Sequence, residues 1–545
     1  MFFKLPKIVA CSFTLLLFGL HSCKEKERPI SEEHTFFYNQ TGGLESLDPA
    51  FAKSLAIMWQ VHMIYNTLIE IDTSLNIVPS LAYRYEIDSG GLVYRFFLHN
   101  HVYFQDHDAF PDGKGRKMTA ADVVYSFRRI IDPEVASPGA WIFNGKVAAE
   151  EPFRAVNDTI VEIRLAAPFA PFLELLSMQY CSIVPQEAVM KYGTDFRNHP
   201  CGTGPFQMVR WDEGNALILH KNGHYWERDE QGKPLPYLDA VKVSFNESKA
   251  MEYLMIKEGK LDFINGIDGL IKDLVLTKKG TLKPEVEAFL TLRKRPYLNT
   301  EYLGILMDSN LQVNPALRLR KVRHAIDMGI NKQKIVTYFR NGIGIPAYQG
   351  FTPGYMPGMK DRGFKSEFDP DRAARLIREV KDSTGWPVIT LEIATPEALG
   401  DMCNFIAQQL IEIGIAARVQ VYQPGMMRQL MSQGQVSCFK AQWIADYPDA
   451  ETYLAYFYSS LPAPPNYTRF HHPLFDRYYH EAIQTEDPQV REQKYRLMDS
   501  IAAQQYAVIP LFYDELMSFM HKDVQGMSVN PMNIIDIKRV TKSRD

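Results

Sequence analysis

Past its first twenty residues the 545-residue chain has no long apolar run. Nothing beyond the N-terminus approaches the ~20 consecutive apolar residues needed to span a bilayer. The chain also lacks a basic balance: 60 Lys and Arg stand against 64 Asp and Glu, a formal net charge of −4. That excludes the positive field on which nucleic-acid binding rests. Cysteine is scarce, six in all, and no Cys or His cluster has zinc-ligand spacing; His471 and His472 are an isolated pair. Gly202, Thr203, Gly204, Pro205 and Phe206 form a Gly-rich turn, but no Lys-Ser/Thr follows it, so it is a tight turn and not a phosphate loop. No serine elbow or metal motif accompanies the acids Asp446 and Asp449, three apart on a Pro-containing turn, so the residues do not point to an enzyme. Neither a metal nor a cofactor is expected.

What is present begins at the N-terminus. Lys4 and Lys7 precede an apolar core over 8–20, followed by Leu20, His21, Ser22 and Cys23. This is the layout of a secretory signal, and its core is too short for a spanning helix. The Leu-x-Ser-Cys ending resembles a bacterial lipobox. On that reading 1–22 is a signal peptide, Cys23 is the lipidated first residue, and the polar stretch 23–33 is a tether; the alternative is a plain signal peptide with an incidental cysteine. In an exported protein disulfides are chemically possible. Cys181 with Cys201 is the candidate pair because each flanks a strand-like run, and buried free thiols are the alternative.

The size of the chain implies two or three lobes. Ile57, Val61, Ile64 and Leu68 predict a helix over 57–71, and 92–98 with 102–104 predict a hairpin. Thr119 and Asp122 form a capping box opening a helix with Ala120, Val124, Phe127 and Ile131 on one face. A basic helix is expected over 317–328, and Asp369 with Pro370 starts another. From residue 388 the pattern alternates: strand 388–394, helix 402–413 ended by Gly414, strand 417–421, helix 426–431, strand 438–443. Such alternation implies parallel pairing with right-handed crossovers. It places Trp443, Ile444, Ala445, Asp446 and Tyr447 at the carboxyl end of a strand, where ligands of open α/β sheets bind. Asp446 is therefore the candidate acceptor of a ligand cation.

Several stretches occur in a recognisable order: Ser46-Leu47-Asp48-Pro49-Ala50, Tyr65-Asn66-Thr67-Leu68-Ile69-Glu70, Pro79-Ser80-Leu81-Ala82, the run from Thr119 to Phe127, the Gly202 turn, Val322-Arg323-His324-Ala325-Ile326, and Trp443-Ile444-Ala445-Asp446-Tyr447. Together they resemble the extracytoplasmic solute-binding proteins of peptide, dipeptide and nickel ABC importers, over residues 35–513. The resemblance implies a periplasmic-binding-protein-like α/β fold, with two α/β domains joined by a hinge and a smaller inserted lobe. The first domain would comprise 34–58, 184–290 and 512–545, the lobe 59–183, and the second domain 296–511. It implies that Asp446 receives a peptide's α-ammonium while Trp443, Ile444 and Ala445, with Lys53, Ser54 and Leu55, pair with the peptide backbone as an added strand. Tyr447 and Tyr302 join the expected site. Lys440 stands where oligopeptide binders carry a basic residue, either meeting a ligand carboxylate or pointing to solvent. Ile444 replaces the cysteine with which some of those binders tie the cleft. The implied protein is a monomeric, lipid-anchored binder of short peptides in the cell envelope, facing the periplasm or the exterior and serving ABC importer permease subunits. A surface peptide receptor without a permease, or a binder of another solute such as a nickel chelate or a sugar, are the alternatives.

Overall fold

The computed structural model describes residues 31–543 apart from 268, 309, 312, 313 and 361. The expected leader, Cys23 and most of the tether lie outside the described residues. Among these residues, no helix is long and apolar enough to cross a membrane.

The molecule is organised by one mixed eleven-stranded sheet that runs through both α/β domains. In the first domain Thr35–Gln40 pairs in parallel with Ala240–Phe245, which continues antiparallel into Ala216–Lys221 and Phe206–Asp212. In the second domain Ile389–Pro396 pairs in parallel with Ile415–Tyr422 along its length, and with Cys438–Ile444 at Ala394 and Phe439. The helices Gly400–Glu412 and Pro424–Ser432 make the crossovers between these strands. The alternation predicted from residue 388 is thus the observed architecture.

Two long strands, Leu290–Ile305 and Val508–His521, join the halves. They pair antiparallel from Leu290 with His521 to Gly304 with Val508, with register shifts between Pro296 and Thr300 and between Glu301 and Tyr302. Proline cannot donate to a ladder, and an irregularity is where a sheet tolerates it. The borders expected at 290/296 and 511/512 fall inside these two strands, so the hinge is a twisted ribbon.

The inserted lobe is a four-stranded antiparallel sheet in the order Ala82–Ile87, Val93–Leu98, Ile160–Arg164, Phe153–Asn157. The helix Ala120–Ile131 packs on it through Phe127, whose ring lies 5.5 Å from that of Phe153. Its start is fixed as the sequence implies: the Thr119 amide donates to Asp122 at 2.8 Å. Lobe and first domain share one apolar core that includes Phe36, Trp59, Phe96, Phe127 and Phe206. The second domain has cores of its own, around Leu303, Ile326, Ile393 and Leu410, and around Tyr302, Tyr453 and Phe457.

Three predicted elements differ. The helix from Ile57 begins at Leu55 and stops at Ile64, where Tyr65 is extended. Gly204 N–H and Gln105 Nε2 take the Ile64 carbonyl at 2.9 and 3.0 Å, ending the helix from outside. The approach is close enough that a Cβ on Gly204 would stand 2.4 Å from the Ile64 carbonyl carbon. Residues 102–104 are no hairpin strand, since Tyr103 makes only an isolated bridge to Lys117. The basic helix breaks at Leu319 into Pro315–Arg318 and Arg320–Gly329, and Arg323 is buried, donating to the Leu317, Arg318 and Gln505 carbonyls at 2.8–2.9 Å.

Cys181 and Cys201 are not bonded to each other. Each is a buried thiol spent locally, Cys181 Sγ against the Leu175 carbonyl and Cys201 Sγ against the Gln105 carbonyl, both at 3.7 Å. Flanking strands bring the two cysteines into one core without pairing them, and the alternative of buried free thiols is what the structure shows.

Candidate functional site

Cys438 and Phe439 are buried, and the strand they open becomes more exposed from Ala441 to Ile444 as it reaches its carboxyl end. The turn beyond it is pinned at each step. Ala445 N–H donates to the Leu298 carbonyl at 2.8 Å, Trp443 Nε1 to the Thr452 carbonyl at 2.9 Å, and Glu451 N–H to Asp449 Oδ1 at 2.8 Å. The Tyr447 hydroxyl donates to Glu451. A side chain on so constrained a turn is held in place before any ligand arrives.

Asp446 is that side chain. It is open to a cleft, yet protein surrounds it closely, and burial alone pushes its carboxyl up to about 6. No described cation or hydrogen-bond donor offsets that burial. An acid so placed is stabilised by an incoming cation that donates hydrogen bonds. Tyr180 of the inserted lobe is near enough to feel it: burial, then the Asp446 charge, raises its phenol to about 12.

The cleft has a volume of about 420 Å³ and is walled by all three parts of the molecule, within the range usual for small-ligand sites. The second domain supplies Asp446, Tyr447 and Pro448; the lobe supplies Glu70, His99 and Gln179; the first domain supplies Met58, Trp226, Met532 and Lys538. The His99 and Trp226 rings lie 5.1 Å apart.

One wall is a closed ion cluster. Lys538 lies 2.7 Å from Glu227, 3.7 Å from Asp536 and 3.8 Å from Glu70. Burial works against its charge, but Asp536, Tyr225, Glu70 and Glu227 hold the ammonium well above its usual range. Arg539 adds a contact to Glu227 at 3.4 Å. These residues come from three distant stretches, around 70, 227 and 538, and no local pattern marks them.

Of the residues expected at the site, Asp446 and Tyr447 line the cleft. Ile444 is exposed, Trp443 half-buried and Ala445 buried. Along Cys438–Ile444 one edge is fully paired with Asn299 to Ile305, while the opposite edge pairs only at Phe439, leaving the end near Ile444 without a neighbouring strand on that side. Lys440 is neither cleft residue nor surface residue: its side chain is buried, ion-paired with Glu301 and bonded to the Ala441 carbonyl at 2.9 Å. Tyr302 is 1% exposed and its hydroxyl meets that of Tyr456 at 3.1 Å, a core position. Lys53 is exposed and paired with Glu45 at 2.9 Å, Ser54 precedes the helix Leu55–Ile64, and Leu55 borders a separate 260 Å³ pocket with Gln40, Trp59 and Glu252. The structure therefore does not gather 53–55 into the Asp446 cavity.

Residues 76–464 match the model of "Bacterial extracellular solute-binding proteins, family 5 Middle". The di/tripeptide-binding protein 2 of Pseudomonas aeruginosa is 25% identical over 522 residues, covering 91% of this chain and 92% of that one. The glutathione-binding protein GsiB of Salmonella paratyphi A is 26% identical over 499 residues, covering 89% and 90%. The solved structure of HbpA2 from Haemophilus parasuis superposes with a TM-score of 0.80 at 25% identity, covering 94% of this chain and all of that one. With two α/β domains on a ribbon hinge, an inserted lobe and an acid-bearing cleft between them, the chain belongs to the bacterial extracellular solute-binding proteins of family 5, a family of binders and not of enzymes.

Proposed function

We propose that the cleft captures short peptides by their free amino end, with Asp446 as the acceptor of the α-ammonium. The observation that carries this is the Asp446 carboxylate itself, surrounded by protein, facing a cavity and without a cation beside it among the described residues. The edge of Cys438–Ile444 left without a strand neighbour near Ile444 supports backbone pairing by the same ligand, in the manner of an added strand. Relatives named for di/tripeptides and for glutathione are in keeping with a peptide-sized solute.

The two domains close on the ligand about the paired strands Leu290–Ile305 and Val508–His521. In this reading Cys23 carries a lipid that anchors the protein in the cell envelope, and the loaded protein delivers peptide to an ABC importer permease. Calorimetric titration with a peptide and its N-acetylated form tests the central point. The free amine should bind and the acetylated form should bind at least tenfold more weakly; equal affinities would show that the ammonium is not read.

A further inference from the structure

The Asp446 turn runs on into Asp449, and there the inserted lobe meets the second domain. Ala170 N–H donates to the Ile483 carbonyl at 2.7 Å, and the Trp141 ring lies 6.2 Å from that of Tyr447. Within this contact sits Glu174, on the short helix Phe172–Leu176. Its Oε2 is buried with no hydrogen-bond partner. The charges facing it from the second domain are Asp449 and Arg491. Arg491 stands 4.0 Å from Asp449, so this cation is shared between two acids. From the lobe's own strands Glu174 faces Tyr94 and Tyr85; beyond Tyr94 lie Asp88 of the lobe and Glu486 of the second domain. Lys146 donates to the Trp141 carbonyl at 2.8 Å and feels the charge of Glu451, which accepts from Tyr447 and Tyr479.

We propose that Glu174 is protonated whenever the lobe rests on the second domain, so that closing the cleft on a ligand takes a proton from solvent. This concerns regulation of the site described above and rests on the reading that a peptide bound at Asp446 closes the cleft. An ionised Glu174 would leave a buried charged oxygen without a donor beside a second carboxylate, whereas the neutral acid removes the like-charge repulsion and lowers the cost of burial. Burial first, then the Asp449 charge, lifts the Glu174 carboxyl to about 8 against the opposing pull of Arg491. With the lobe undocked the group faces water and titrates as an ordinary glutamate, near ~4.3. The docked state therefore holds the proton more tightly. Between those two values closure takes one up, and affinity falls as pH rises. At pH 7 Asp446 is already ionised and adds little to the proton count.

The test is calorimetry of the full-length protein with trialanine and N-acetyl-trialanine, in phosphate and in Tris at pH 7, since the difference in enthalpy between buffers counts protons. Trialanine binding should take up close to one proton. The affinity should weaken about fivefold from pH 7 to pH 8. Glu174→Gln, which keeps the shape without the charge, should bind at pH 7 with no proton uptake and no loss toward pH 8. Binding without uptake in the unaltered protein, or uptake that persists in Glu174→Gln, overturns the proposal and leaves the Asp446 reading standing. Uptake with equal binding of the acetylated peptide sinks the ammonium reading alone, and no binding of either peptide overturns both. The count on the unaltered protein needs no variant, so a Glu174→Gln chain that fails to fold leaves the test decisive.

Discussion

Lys440 and Glu301 lie on adjacent strands of the second domain, and their side chains meet across the ladder with the lysine fully shielded from solvent. Taking one member of such a pair away leaves the other charged and buried. Lys440→Ala should cost about 3–5 kcal/mol in chemical denaturation. Lys440→Met with Glu301→Leu should recover most of it. If Lys440 instead read the ligand, the single variant would lose peptide affinity with its stability intact.

At Asp446 the expected outcome is the reverse, a loss of affinity with little loss of stability. Asp446→Asn removes the charge but keeps the shape, and should weaken peptide binding by about 3 kcal/mol, on the order of a hundredfold in Kd.

The pH dependence of that effect has a definite sign. The Asp446 carboxyl is raised to about 6 by burial, so it is progressively neutral below that pH, and a neutral acid does not hold an ammonium. The ratio of unaltered to Asp446→Asn affinity should therefore be largest above pH 7 and shrink by about tenfold per unit as pH drops below 6. Taking the ratio cancels contributions from other groups, Glu174 included.

Gly204 should tolerate no side chain. A Cβ there would overlap the backbone at Ile64, which ends a helix and has no flexible atom to yield. Gly204→Ala should destabilise by about 1–3 kcal/mol, read as a lowered midpoint in urea.

The cysteines offer a chemical check. Cys181, Cys201, Cys403 and Cys438 are all buried free thiols. Alkylation of the purified protein should label none of the four under native conditions, and all four after denaturation without reductant. A disulfide between Cys181 and Cys201 would reduce the second count by two.

The place of Asp446 at the cleft is legible from local pattern: an apolar strand, a turn, and an acid delivered at the strand's carboxyl end. Those of Lys440 and Tyr302 are not, because their burial depends on partners far along the chain, Glu301 and Tyr456. The same holds for Lys538, whose distant partners Glu70 and Glu227 reach it only when lobe and first domain fold together. The helix expected over 57–71 stops at Ile64 because its terminator, the loop at Gly204, is 140 residues away and leaves no local mark. At Pro296, where the sequence pattern changes, the strand carries on through an irregularity instead of ending.

In the ribbon hinge Thr300 and Tyr513 are partners across the ladder. The chain enters the second domain along one of these strands and returns along its neighbour, so everything that forms that domain is a single uninterrupted stretch whose two ends leave side by side. Such a stretch can be lifted out and exchanged with that of another member of the family by joining only two adjacent points. Because Asp446 travels with the stretch and the ion cluster at Lys538 stays behind, such chimaeras would report which half chooses the solute.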